Sequence, residues 1–142
     1  MYWQKTVKED IHFRSVGLHS GRKVGMTIWP AGEDTGIVFV RRDVPESNRI
    51  AADIQNVTDT TLATTLGANG TRVHTVEHLL SAFRGLGIDN AVVEVDTFEV
   101  PIMDGSSQPF FSTLKKVGLK TLRKPRRYLK VKKPVSVSEG ES

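Results

Sequence analysis

The sequence predicts an α+β domain, a mostly antiparallel sheet with two helices packed on one face. Three observations carry this. Short β-prone runs, several alternating apolar and polar residues, fill the first half of the chain. The period then changes: Val76, Leu79, Leu80 and Phe83 stand at i, i+3, i+4 and i+7, the stripe of an amphipathic helix. The resulting order is many strands, then helix, strand, helix, strand.

Each element has its own signal. Thr6 to Phe13 reads as one strand with imperfect alternation. Val16-Gly17-Leu18-His19-Ser20-Gly21 has the glycines and serine of a turn. Val24, Met26 and Ile28 alternate with Gly25 and Thr27, so a strand buries one face here. Pro30 to Gly36 breaks it, and Ile37-Val38-Phe39-Val40 is a short β-prone run. Ile50 to Ile54 and Thr60 to Thr65 read as further strands, and Ala68-Asn69-Gly70 signals a hairpin. The first helix is expected to open around His74 and to end at Gly85-Leu86-Gly87.

Ala91 to Val95 is the next strand, and Val100 to Ser107 a loop. A second helix should start near Ser107, with Pro109 in its first turn, where a missing N–H costs nothing. Phe110, Phe111, Leu114 and Val117 give its apolar side, and Gly118 stops it. Arg123-Lys124-Pro125-Arg126-Arg127 reads as a linker, followed by an extended run from Tyr128. The expected organisation is a domain over 1–124, then a linker and the first strand of a truncated second domain over 125–142.

Composition narrows the function. The 38% hydrophobic and 25% charged content is ordinary for a soluble globular protein. No apolar run approaches the ~20 residues that span a bilayer, and no apolar signal segment opens the chain. A cytoplasmic location without stable membrane insertion is therefore expected. Without cysteine, any metal must be held by His, Asp or Glu. The net charge of +4 is uneven: ten of the 20 Lys and Arg lie between Lys115 and Lys133, where there is no acid. The other ten face 16 acids, a balance of −6. Such local basicity argues against a nucleic-acid partner. A solvated helix end and linker accounts for it; attraction to a diphosphate or a membrane surface is the sharper reading.

The densest chemistry is His74-Thr75-Val76-Glu77-His78. Residues four apart share a helix face, so His74 and His78 read as a stacked pair, with Glu77 beside them to take a proton. The bland alternative is a polar first turn whose acid favours the helix dipole. The letters also match an inverted zinc-peptidase motif. His19 is either a solvated turn residue or part of a site wall. In Asp104-Gly105-Ser106-Ser107 the aspartate organises a turn and a serine caps the second helix; anion binding at that helix end is the alternative.

Together, Val16-Gly17-Leu18-His19-Ser20-Gly21, Thr75-Val76-Glu77-His78-Leu79, Gly85-Leu86-Gly87-Ile88-Asp89-Asn90 and Ile102-Met103-Asp104-Gly105-Ser106 resemble the UDP-3-O-acyl-N-acetylglucosamine deacetylase family of lipid A biosynthesis. Their order and spacing fit its N-terminal domain, from about Thr6 to the end. The resemblance implies a cytoplasmic zinc (Zn2+) hydrolase of Gram-negative bacteria that removes the N-acetyl group of UDP-3-O-acyl-N-acetylglucosamine. It implies two similar α+β domains whose helices meet between their sheets, with the second domain packed on the helix face seen here. His78 matches a metal ligand and Glu77 the general base. Leu18, His19, Thr61 and Leu62 match the substrate-site lining, and His74 becomes a supporting group.

The family's other ligands, a histidine and an aspartate four residues later, lie in its second domain, as does a further histidine that acts as acid or orients the oxyanion. This chain ends before them. It is therefore expected to be an incomplete half, inactive alone and a weak zinc binder. The competing expectation is a stand-alone UDP-sugar-binding or regulatory module without catalysis.

Overall fold

The computed structural model of the chain describes residues 2–46 and 48–140. Its centre is a five-stranded sheet of β2 (Ile11–Val16), β3 (Lys23–Pro30), β4 (Ile37–Arg41), β5 (Arg49–Ala51) and β9 (Ala91–Val95), in the order β2-β3-β9-β4-β5. All neighbours are antiparallel except β4 and β9. Register places Ile11, Ile28, Val93, Phe39 and Ile50 in one row across all five strands. Each is buried, as alternation requires of one sheet face.

Two helices cover that face: α1 (Glu77–Leu86) and α2 (Gln108–Val117). Leu79, Ala82 and Phe83 of α1 and Phe110 and Leu114 of α2 join the same core cluster as the row. The Phe110 ring meets Phe13 edge to face at 5.1 Å. Gly87 ends α1 in the left-handed region (φ 70°), with Ile88 N–H bonded to Phe83 O at 2.9 Å. That is the expected glycine C-cap. Ser107 precedes α2, but Ser106 Oγ accepts the Gln108 N–H, and Asp104 holds Ser106, so the aspartate does organise the turn.

A three-stranded sheet packs at one side: β6 (Val57–Asp59), β7 (Thr65–Ala68) and β8 (Thr71–Val73), in sequence order. The β7–β8 turn is the predicted hairpin, with Asn69 at φ 51° and Gly70 at φ 81°, the two positive values of a type I′ turn. A two-stranded sheet joins the ends of the domain, β1 (Trp3–Val7) against β10 (Leu119–Pro125).

Five expectations are corrected. The strand expected over Thr6–Phe13 is two strands, parted by a turn at Lys8-Glu9-Asp10. The strand from Ile50 stops at Ala51, and Ile54 opens a short 3-10 helix capped by Asp53. Thr60 to Thr64 is a loop between β6 and β7, because Asp59 Oδ1 accepts from both the N–H and hydroxyl of Thr61 and bends the chain. Leu119 to Pro125 is a strand, held by β1 from the far end of the sequence; residues 126–140 carry no assigned strand. Finally, α1 begins at Glu77, three residues later than His74.

Candidate functional site

The chemistry gathers where α1 leaves the sheet layer. Val76 precedes the helix with no side-chain cap, and Glu77 is its first residue, where a carboxylate favours the helix dipole. Glu77 Oε2 accepts the Thr64 N–H at 3.0 Å. The loop before β7 thus steadies one carboxylate oxygen. The other takes part in no hydrogen bond among the described residues. His78 follows, half-buried.

His74 is not on this helix. It pairs as an isolated bridge with Glu99 and donates its N–H to Phe98 O at 2.8 Å. Its Nδ1 lies 3.0 Å from Thr65 Oγ1, and its ring meets Phe98 edge to face at 5.5 Å. Burial lowers its pKa below the ordinary 6.5, against the pull of Glu99 and Asp59. The helical stacking of His74 and His78 is therefore overturned. His74 lies on the extended segment before α1, half-buried between Thr65 and Phe98.

Thr75 turns the chain between them. Its φ of 60° lies in the left-handed region, uncommon for a β-branched residue, and such strain costs of order 1–3 kcal/mol. Its hydroxyl donates to Glu99 Oε1 at 3.1 Å.

Glu99 is the residue that sequence reasoning missed. It is 0% exposed. Besides Thr75 it accepts the backbone N–H groups of His19 at 2.9 Å and Ser20 at 3.0 Å. Burial opposes its ionisation, but these bonds outweigh burial and hold its pKa below the ordinary 4.5. The only sequence signal was an acid set between Phe98 and Val100 in an apolar stretch.

The remaining candidates stand on two exposed loops. His19 and Leu18 occupy the turn between β2 and β3, with Leu18 57% exposed. Thr61 and Leu62 occupy the β6–β7 loop, with Leu62 82% exposed. The His19 N–H bonds the carboxylate of Glu99 that also takes the Thr75 hydroxyl, and the Thr64 N–H bonds Glu77, so both loops reach the turn before α1. The structure thus assembles Glu77, His74, His19 and the Thr61 loop around one end of α1, although these segments are scattered in sequence.

Among the described residues, no group of three or more His, Cys, Asp or Glu side chains could hold a metal ion. At the start of α1 the available donors are one imidazole, His78, and the carboxylate of Glu77 beside it, fewer than a zinc ion requires. Among the described residues, no helix is long and apolar enough to cross a membrane. A concave region of about 700 Å³ lies elsewhere. It faces away from the helices and is lined by residues such as His12, Arg14, Trp29, Arg42 and Glu94. The α1 end is a candidate by its chemistry, not by concavity.

Comparison with known proteins gives the family. Residues 4–142 match the profile of the LpxC family, UDP-3-O-acyl N-acetylglycosamine deacetylase. A UDP-3-O-acyl-N-acetylglucosamine deacetylase of Syntrophus aciditrophicus (strain SB) is 58% identical over 142 residues, covering 100% of this chain and 45% of the relative. One from Vibrio cholerae serotype O1 is 48% identical over 142 residues, covering 99% of this chain and 47% of its own. One from Xanthomonas campestris pv. campestris is 49% identical over 141 residues, covering 99% and 46%. The chain spans about half the length of the curated relatives it matches. By the extent of these matches, the chain belongs to the UDP-3-O-acyl N-acetylglycosamine deacetylase family.

Proposed function

We propose that this chain supplies the base-bearing half of a zinc-dependent deacetylase acting on UDP-3-O-acyl-N-acetylglucosamine in lipid A biosynthesis. One observation carries the reading: Glu77 opens α1 with Oε2 fixed by the Thr64 N–H and Oε1 unengaged, next to the half-buried imidazole of His78. Family membership and the relatives' names support the substrate.

In this reading His78 is a metal ligand, and two further ligands come from a second domain that packs on the helix face. Zinc, when bound, supplies a Lewis acid that polarises the acetamide carbonyl and the attacking water. Glu77 accepts a proton from that water through Oε1, while the Thr64 N–H keeps the carboxylate from swinging away. The acetamide C–N bond breaks, and acetate and the free amine result. His74, kept neutral by burial, packs the turn that presents Glu77. Leu18, His19, Thr61 and Leu62 line the substrate's approach from the two loops. The exposed apolar side chains Leu18 and Leu62 suit a ligand that carries an acyl chain.

The test has two arms. The full-length protein carrying this sequence is expected to release acetate from UDP-3-O-acyl-N-acetylglucosamine and to lose that activity on chelation, with zinc restoring it. The 142-residue chain alone is expected to release none and to bind zinc weakly, because one imidazole does not hold the ion. Turnover by the purified 142-residue chain would overturn the shared-site reading. Tight UDP-sugar binding without turnover by the full-length protein would favour a binding module instead.

A further inference from the structure

We propose that Glu99 is a positioning residue that clips the Leu18–His19 loop to the turn presenting Glu77 and His78. The inference rests on the deacetylase reading of that site.

A buried carboxylate is costly unless its oxygens are satisfied. Glu99 meets that need with no cation: among the described residues it forms no ion pair, and its partners include two backbone N–H groups and the Thr75 hydroxyl. A leucine would fill similar space in an apolar layer. What the carboxylate adds is acceptors pointing two ways. Oε1 takes the His19 N–H and the Thr75 hydroxyl, and Oε2 takes the Ser20 N–H. The backbone around Glu99 is fixed to the same turn, with His74 N–H bonded to Phe98 O and Val100 N–H to His74 O. One residue therefore joins the loop carrying Leu18 and His19 to the segment that enters α1.

The approach is close enough to dictate a neighbour. A Cβ on Gly17 would fall 2.3 Å from Glu99 Oε2 and 2.3 Å from Ser20 Oγ. Glycine at this position lets the loop fold down onto the carboxylate. Thr75 meets the other side, and its left-handed backbone, unfavourable in itself, is held by the same Oε1. The loop's outward side chains, Leu18 and His19, are exposed. Their place over the site depends on the backbone beneath them.

The test compares Glu99→Gln with the unaltered full-length protein. The amide keeps the shape but turns one acceptor into a donor facing an N–H or hydroxyl. Amide hydrogen exchange at His19 and Ser20 is expected to quicken by about tenfold or more, from loss of a bond to a charged acceptor. Exchange at Ile28 and Val93 in the central sheet should not change. KM for UDP-3-O-acyl-N-acetylglucosamine is expected to rise about tenfold, with a smaller change in kcat. Thr75→Val removes one donor while keeping the side-chain shape. It should move KM in the same direction by less, and Thr75→Ser should restore it.

A fall in apparent kcat at unchanged KM reports only lost folded enzyme and overturns the positioning role. So does unchanged exchange at His19 and Ser20. Should Glu99→Gln not fold, Thr75→Val carries the same KM test. An unaltered protein that releases no acetate refutes the deacetylase reading and this inference with it. Acetate release with an unmoved KM in both variants refutes this inference alone.

Discussion

Phe110→Ala tests the packing that sets α1 and α2 on the sheet. The ring is 0% exposed and meets Phe13 at 5.1 Å with planes at 67°. Phe111, one residue on, lies 3.3 Å from the position a Cβ would take on Gly85 of α1, so α2 braces α1 as well as the sheet. Truncating such a phenylalanine costs about 3–5 kcal/mol, including the cavity it leaves. The edge-to-face pair accounts for about 1 kcal/mol of that. A domain of this size holds only about 5–15 kcal/mol in total, so the variant should stay folded but weakened. Urea unfolding of the 142-residue chain, followed by Trp3 and Trp29 fluorescence, reads the change directly. With an m-value near 2 kcal/mol/M, the midpoint should fall by roughly 2 M. A fall below about 0.5 M at unchanged m would mean that α2 is not docked on Phe13, and the helix-over-sheet account would fail.

Acid should weaken the fold in two windows. His74 has a lowered folded pKa, so the unfolded chain takes up its proton first; stability present above pH 6.5 is lost as pH falls through the folded value. Glu99, also lowered, contributes stability above pH 4.5 that is lost on further acidification. Urea midpoints across that range should decline with falling pH, and His74→Gln should flatten the upper window; an unchanged slope would refute the lowered pKa of the half-buried imidazole. Gly85→Ala should raise Tm by roughly 2 °C. The helix gains propensity, and the half-buried Phe111 ring can yield to a Cβ at 3.3 Å; a lower Tm would show that the ring cannot move.

The readable parts of this chain were local. The α1 and α2 stripes, the Asn69-Gly70 turn and the Gly87 cap each depend on residues within a few positions, and all formed as expected. The errors came from distant partners or unusual backbone. β10 looks like a basic linker because what makes it a strand is β1, at the other end of the sequence. Thr60 to Thr65 has strand propensity, but the Asp59 side chain offers the backbone a turn instead.

The site was legible in kind but not in geometry. Spacing put His74 and His78 on one helix. A left-handed Thr75 between them is not written in the residue type, which disfavours it. Glu99 escaped notice for a related reason: its donors sit on segments far apart in sequence, and only the folded chain brings His19, Ser20 and Thr75 to one carboxylate.

The most direct test of the central claim is acetate release from UDP-3-O-acyl-N-acetylglucosamine by the full-length protein and its Glu77→Gln variant, each loaded with zinc and shown to be folded. The amide can still accept the Thr64 N–H, so the fold and the His78 environment should persist. A proton acceptor is lost, and kcat should fall by about 10²–10⁴-fold with KM nearly unchanged. A Glu77→Gln variant that retains more than about a tenth of the activity would contradict the account, because proton transfer would then belong to another group.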